Sequence, residues 1–243
     1  MNKDTVILIP ARMDSTRLPG KPLKLIKGKP MIIHVAEQAK AADIGEIIIA
    51  TDHKEIEKIV QDFGFQTFLT KAEHASGSDR IYEALCALDP KKEKNYIINL
   101  QGDLPDINPK YIKKLARILK ETEADIATLA TYIHTEQEKQ NPNIVKIIAS
   151  PINKVYFKAL YFTRAKAPYG EGPYYHHIGI YGYKRYALEK FCTYKTSSLE
   201  KRERLEQLRA LENDMKIIFS LVPQAPVGVD TQEDLENIKK IMQ

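Results

Sequence analysis

Residues 6–22 read VILIPARMDSTRLPGKP. The four apolar residues Val6-Ile7-Leu8-Ile9 are a β-type run that stops at Pro10 and opens into a loop carrying Arg12, Arg17 and Lys21, with hydroxyls at Ser15 and Thr16. Such a loop is built to hold phosphate. Guanidinium forks bind phosphate oxygens in pairs, lysine supplies a point charge, and Gly20 lets the backbone approach a ligand with no Cβ in the way. Between residues 10 and 30 six basic residues stand against one acid, more than a solvated turn requires.

Outward from this stretch, strands and helices alternate. Lys29-Pro30 precedes MIIHVAEQAKAA, in which Ile32, Ile33, Val35, Ala36 and Ala39 recur at helical spacing; His34 within it reads as a packed or surface histidine. GEIIIATDH is a short apolar run, followed by a helix over about 54–63 and a weaker strand over 66–69. This β-α-β-α-β order implies a parallel sheet that places its ligand at the carboxyl ends of the strands. Asp52 lies at one such end, and Thr51-Asp52 also reads as the N-cap of the next helix.

HASGSDRIYEAL enters a helix whose amino terminus, with Ser76 and Gly77, offers free backbone N–H groups to an anionic or polar ligand. A plain capping role for Ser76 or Ser78 remains open. Arg80 in the first turn opposes the helix dipole, so it counts towards ligand contact rather than capping. In YIINLQGDLP a buried strand delivers Gln101-Gly102-Asp103 just past its end, which is how an α/β site presents a carboxylate to Mg²⁺; an ordinary turn aspartate is the competing explanation. A helix follows Asn108-Pro109 to about Glu121.

The pattern then changes. Residues 126–132, 144–149 and 159–162 are strand-like without long helices between them, which points to an antiparallel extension. AKAPYGEGPYYHHIGIYG begins as a loop and ends as a strand with His177, Gly179 and Tyr181 on one face; no third ligand at suitable spacing argues for zinc. SSLEKRERLEQLRALE reads as one helix, capped by Ser198 and striped by Leu199, Leu205, Leu208 and Leu211. Spacing alone does not single out Glu206 or Gln207 within it. After a strand at about 217–222, Asp230 or Thr231 caps a final amphipathic helix, and Gly228-Val229-Asp230 again places glycine close before aspartate. Two such carboxylates suit a divalent metal holding a triphosphate.

The chain has 243 residues and 43% hydrophobic content, enough for one domain; the expected arrangement is a single domain over 1–243 with an insertion-like excursion at about 132–199. A net charge of +5 from 37 basic and 32 acidic residues, with no basic tract interleaved with aromatics, favours a small anionic ligand over nucleic acid. Cys86 and Cys192 have no metal-ligand spacing and read as thiols in a reducing compartment. The leading apolar run is too short for a signal peptide, and no stretch approaches a membrane span, so a cytoplasmic protein is expected.

In order and spacing, IPARMDSTRLPGKPL, ATDH, SGSDR, the QGD at 101–103, NPNIVK, ALYFTRAKAP, HHIGIYGY, LEQLR and VGVDTQEDL resemble the 3-deoxy-manno-octulosonate cytidylyltransferases, or CMP-Kdo synthetases, over essentially the whole chain. The resemblance implies a Rossmann-like α/β nucleotidyltransferase fold: a mostly parallel central sheet with helices on both faces and a smaller antiparallel extension. It implies that CTP and Kdo give CMP-Kdo and pyrophosphate with Mg²⁺, for lipopolysaccharide biosynthesis, in a homodimer. Carried over by motif, Pro10, Ala11, Arg12, Arg17, Lys21, Ser76, Gly77, Arg80 and Gln101 fall on the nucleotide site, with Arg12, Arg17 and Lys21 at the phosphates. Asp103 and Asp230 fall on the metal ligands. Arg164, His177, Tyr181, Glu206 and Gln207 match the acid-sugar pocket.

Two departures, Leu104 after the QGD and the short loop between Pro168 and His176, bear on the sugar. The alternatives are therefore a cytidylyltransferase for an 8-amino Kdo analogue or sialic acid or, in another class, a non-catalytic nucleotide-binding protein. The lack of a GxGxxG after the first strand argues against a dinucleotide-dependent dehydrogenase.

Overall fold

Strand β1 (Thr5–Ala11) is the axis of the first of two units into which the chain divides, formed by Met1–Lys113 and Pro226–Gln243. The protein is seen as a computed structural model describing residues 3–74 and 76–242. Val6, Ile7, Leu8 and Ile9 are all buried, so the run is continuously apolar rather than alternating, as a strand covered on both faces requires. A 3₁₀ turn at Lys21–Leu23 leads to the short hairpin β2 (Leu25–Ile26) and β3 (Lys29–Pro30). Helix α1 (Met31–Ala42), β4 (Glu46–Thr51), α2 (Lys54–Asp62), β5 (Gln66–Leu69), α3 (Gly77–Leu88) and β6 (Tyr96–Asn99) follow. The strands pair in parallel in the order β5-β4-β1-β6, the outcome that the alternation implies. His34 is buried in α1 with Nε2 2.8 Å from the Ile26 carbonyl, a packed histidine.

One local expectation is corrected. The cap of α2 is His53, whose Nδ1 accepts from the Glu55 N–H, while Asp52 turns its carboxylate to Arg80 at 2.7 Å. A buried guanidinium needs an anion, and that need outweighs the local use of Asp52 as a cap.

Helix α4 (Pro109–Glu121) carries the chain into the second unit, Lys114–Ala225. This unit contains β7 (Ile126–Ile133), α5 (Glu136–Gln140), β8 (Lys146–Pro151), β9 (Tyr156–Thr163), β10 (Tyr174–Lys184), α6 (Arg185–Thr193), α7 (Ser198–Glu203), α8 (Gln207–Leu211) and β11 (Ile217–Leu221). Its strands run β10-β7-β11-β9-β8, and β8 also pairs with β10 through Ile147↔Tyr175 and Lys146↔His176, so the ladder closes on itself. Within it only β7 and β11 are parallel. The expected smaller antiparallel extension to a mostly parallel sheet is thus corrected: the strands are mixed, and the antiparallel ladders are as extensive as the parallel ones. Short connections are the reason. β8 and β9 are joined by a turn in which Ile152 N–H donates to the Tyr156 carbonyl, and a parallel pair needs a long crossover instead.

The single helix expected over 198–211 is also corrected. It breaks at Arg204, which takes a left-handed conformation at φ 55°, into α7 and α8; the cap is Ser197, in a capping box with Glu200. Lys146 is 0% exposed and donates to the carbonyls of Asn141 and Ile144 at 2.8 Å and of Arg164 at 2.9 Å. The chain re-enters the first unit as α9 (Gln232–Ile241), capped by Thr231 in a box with Asp234. There Val229, Leu235 and Ile238 pack with Leu18, Ile26 and Met31. Among the described residues no helix is long and apolar enough to cross a membrane.

Candidate functional site

The carboxyl ends of β1 and β6 open onto a cavity of about 320 Å³ in the first unit. Pro10, Ala11, Arg12, Arg17, Lys21, Ser76, Gly77, Arg80, Gln101, Asp103 and Asp230 all line it, so every candidate that the sequence supplies from this unit is brought to one place. The local chemistry explains the convergence. Gly20 sits at φ 67°, a left-handed turn that returns the basic loop towards the strand ends. At Gly102 a Cβ would stand 3.1 Å from the Pro10 carbonyl oxygen and from Ile32 Cδ1, a tight contact that glycine avoids where the β6 end passes β1. Ser76 is the N-cap of α3, accepting from Asp79 N–H at 3.2 Å, and it still faces the cavity.

At one side of the cavity Lys21 Nζ lies 2.8 Å from Asp103 Oδ2 and 3.0 Å from Asp230 Oδ1. Arg17 Nη2 lies 3.1 Å from Asp230 Oδ2. The two carboxylate segments are tied by Val229 N–H donating to the Asp103 carbonyl at 3.0 Å. Burial by itself would lower the Lys21 pKa; Asp103, and then Asp230, more than offset it and hold the ammonium charged. Arg12 is exposed at the cavity, whereas Arg80 is buried and committed to Asp52, Thr70 and the Lys71 carbonyl. Its cation is already matched, so it braces the ends of β4 and β5. His74 also lines the cavity, with Nε2 2.5 Å from Glu83 Oε2; no local pattern in the sequence singles it out.

Two carboxylates converging on one ammonium form a place where a cation is wanted. Among the described residues no three His, Cys, Asp or Glu side chains gather as a metal cage. The donor set fits Mg²⁺, which keeps several waters and takes one or two protein carboxylates together with phosphate oxygens.

The remaining candidates lie in the second unit. His177 is buried on β10, with its ring edge-on to Phe162 at 5.0 Å and 5.5 Å from that of Tyr181. Burial, aided by His176, lowers its pKa to about 3, so the imidazole is neutral. Burial also pushes the Tyr181 phenol well up, with Tyr183 and Glu206 adding to the shift, so it remains a hydroxyl donor. Gln207 is 6% exposed, and its Nε2 is buried without a hydrogen-bond partner among the described residues. A buried amide donor left unmatched costs about 1–3 kcal/mol, which an acceptor on a bound ligand would recover. Glu206 Oε1 is 3.9 Å from Arg209 Nη2. Arg164 follows β9 and donates from Nε to the Glu203 carbonyl at 2.9 Å and from Nη1 to the Pro142 carbonyl at 3.0 Å. Its backbone N–H donates to Glu203 Oε2 at 3.0 Å. Thr128, which meets the His177 ring, and Lys146 and Glu203, which hold the Arg164 backbone, lie beyond what spacing could identify, because each acts on residues distant in sequence.

A family model described as cytidylyltransferase matches residues 6–217. A protein of Bartonella tribocorum is 56% identical over 242 residues, the full length of both chains, and one of Mesorhizobium japonicum is 54% identical over 98% of each. Both are described as 3-deoxy-manno-octulosonate cytidylyltransferase. Among solved structures, a CMP:2-keto-3-deoxy-manno-octonic acid synthetase complexed with CTP superposes with a TM-score of 0.91 at 38% identity, over 99% of this chain and 98% of that one. The 4-diphosphocytidyl-2C-methyl-D-erythritol synthase of Anaerococcus prevotii shares the fold, with a TM-score of 0.65 at 17% identity over 99% of both chains.

Proposed function

The chain belongs to the cytidylyltransferase family, and we propose that it transfers CMP from CTP to the anomeric hydroxyl of 3-deoxy-D-manno-octulosonate (Kdo), giving CMP-Kdo and pyrophosphate. The observation that carries this reading is the Lys21 ammonium held between Asp103 and Asp230 at the edge of a cavity that Arg12 and Arg17 also line. A triphosphate is the ligand for which cations and cation-holding carboxylates are needed side by side.

The chemistry is displacement at the α-phosphorus: the sugar hydroxyl attacks and pyrophosphate leaves in line, with no covalent enzyme intermediate. The protein's part is to position the two substrates and neutralise oxyanions. Arg12, Arg17 and Lys21 balance charge on the phosphates. The helix end at Ser76-Gly77 and the Pro10-Ala11 backbone, with Gln101, hold the nucleoside side. Asp103 and Asp230 are the groups that would hold Mg²⁺, which when bound supplies Lewis-acid polarisation of phosphate oxygens.

On the sugar side, Gln207 offers an amide donor, Tyr181 a hydroxyl and Arg164 a cation suited to a carboxylate. The excursion over about 132–199, in a single functional domain, would then serve sugar binding and dimer formation. A cytoplasmic homodimer with Rossmann-like nucleotide binding belongs to the same reading. The test is pyrophosphate release dependent on CTP and Mg²⁺, measured with Kdo, with an 8-amino Kdo analogue, with sialic acid and with no sugar. Release that needs Kdo supports the assignment; CTP binding without release with any sugar overturns it.

A further inference from the structure

The ladder between β10 and β7 is regular from Tyr174↔Ile133 to Ile178↔Leu129 and resumes at Gly182↔Ala127. Between those pairs β10 advances from 178 to 182 while β7 moves only from 129 to 127, so two extra residues bulge from β10 opposite Thr128. The carbonyl oxygens of Ile178 and Ile180, at the start and within the bulge, lie 3.1 and 2.9 Å from Thr128 Oγ1. The same oxygen is 3.1 Å from His177 Nε2, and Thr128 is 0% exposed.

We infer that Thr128 is a positioning residue for His177: its hydroxyl holds the imidazole with Nε2 protonated, so that Nδ1 is the lone-pair acceptor offered to a substrate hydroxyl. The number of protons available distinguishes the two tautomers. A hydroxyl has one proton and can accept, whereas a carbonyl only accepts. If Thr128 gave its proton to Nε2, two carbonyl oxygens would crowd a third oxygen with no proton between them. If it shares the proton between the two carbonyls in a three-centre bond, Oγ1 accepts from Nε2–H and each close contact has a proton. A neutral imidazole protonated at Nε2 has its lone pair at Nδ1.

The specificity consequence rests on the assignment of His177 to the sugar site. The ligand group that meets His177 must donate a hydrogen bond, as a sugar hydroxyl does and an ether or a carboxylate oxygen does not.

The direct measurement is nitrogen-15 NMR of histidine-labelled protein without ligands, in which protonated and bare ring nitrogens resonate far apart. Wild type should show His177 protonated at Nε2. Thr128→Val, which keeps the shape and removes the hydroxyl, should mix or reverse the tautomers and raise KM for Kdo about tenfold, the worth of one hydrogen bond, with KM for CTP unchanged. Thr128→Ser should restore both. A wild-type spectrum protonated at Nδ1 overturns the inference, as does a Val variant with unaltered nitrogen shifts and unaltered KM for Kdo. If the Val variant does not fold, the wild-type spectrum decides alone. An unchanged KM for Kdo in His177→Ala would remove His177 from the sugar site and overturn the specificity consequence, while the spectrum would still report separately whether Thr128 sets the tautomer.

Discussion

Arg209 closes on Glu200 with two parallel bonds, Nε to Oε2 at 2.8 Å and Nη2 to Oε1 at 2.6 Å, and both side chains are buried. In an unbroken helix the spacing between them would place the two on opposite faces, separated by about 13 Å along the axis. The pair therefore exists only because the chain turns at Arg204, and the same turn carries Gln207 inward.

Arg209→Met leaves the Glu200 carboxylate buried without its counter-charge. Urea unfolding should show a loss of about 3 kcal/mol. Replacing both residues by apolar ones of similar volume should recover part of that loss. A single variant as stable as wild type would mean that the pair does not hold the turn.

Asp103→Asn keeps the shape of the side chain and removes its charge. We expect kcat to fall on the order of 100-fold or more, with CTP affinity by calorimetry changed much less. Near-normal turnover in saturating Mg²⁺ would sink the metal-ligand role.

Lys21 already occupies the space between the two carboxylates with a positive charge. Removing it in Lys21→Met should leave a site hungrier for a cation, so Mn²⁺ in the absence of CTP should bind more tightly than to wild type, read by electron paramagnetic resonance. Equal or weaker Mn²⁺ binding would separate Lys21 from the metal position.

Gln207→Leu should pull stability and function in opposite directions. The amide Nε2 has no partner in the described residues, so its removal should leave the ligand-free protein as stable as wild type or more stable by about 1 kcal/mol. KM for Kdo should rise at least about tenfold over the same substitution. A variant that loses stability and keeps its KM would assign Gln207 to the core instead.

Glu212 gathers the hydroxyls of Ser197 and Ser198 and the N–H groups of Leu199 and Glu200 at the start of α7. The Ser197 hydrogen bond above all, joined by those of Ser198, Leu199 and Glu200 and opposed by burial, lowers its pKa from 4.5 to about 2. Because the folded value is the lower one, its stabilisation is complete above pH 4.5 and is lost as pH falls towards 2. Glu212→Gln should flatten the acid limb of a stability–pH curve in that window and leave the slope above it alone.

What was legible in the chain was what neighbours in sequence decide. The apolar run of β1, the bounds of α4 after Pro109, the cap at Thr231 and the gathering of the basic loop with Asp103 and Asp230 all follow from local pattern, together with the rule that strand ends carry the ligand. What escaped is decided by partners far along the chain. Asp52 reads as a cap because Arg80 is distant in sequence, and 198–211 reads as one helix because leucines recur on both sides of Arg204, although the six-residue gap from Leu199 to Leu205 already breaks the stripe. The β10 bulge leaves no mark in the alternation of HHIGIYGY, since two inserted residues preserve its parity.

The first unit is discontinuous: its core is completed by Val229, Leu235 and Ile238, and its cavity by Asp230. Synthesis proceeds from the amino terminus, and domains fold as they emerge. The growing chain must therefore carry an unfinished cavity through the whole of the second unit, with Leu18, Ile26 and Met31 still lacking Val229, Leu235 and Ile238. Emergence of the segment from Val229 to Ile238 is thus itself a step in building the site, and a chain cut short before Asp230 has the basic loop but lacks the second carboxylate.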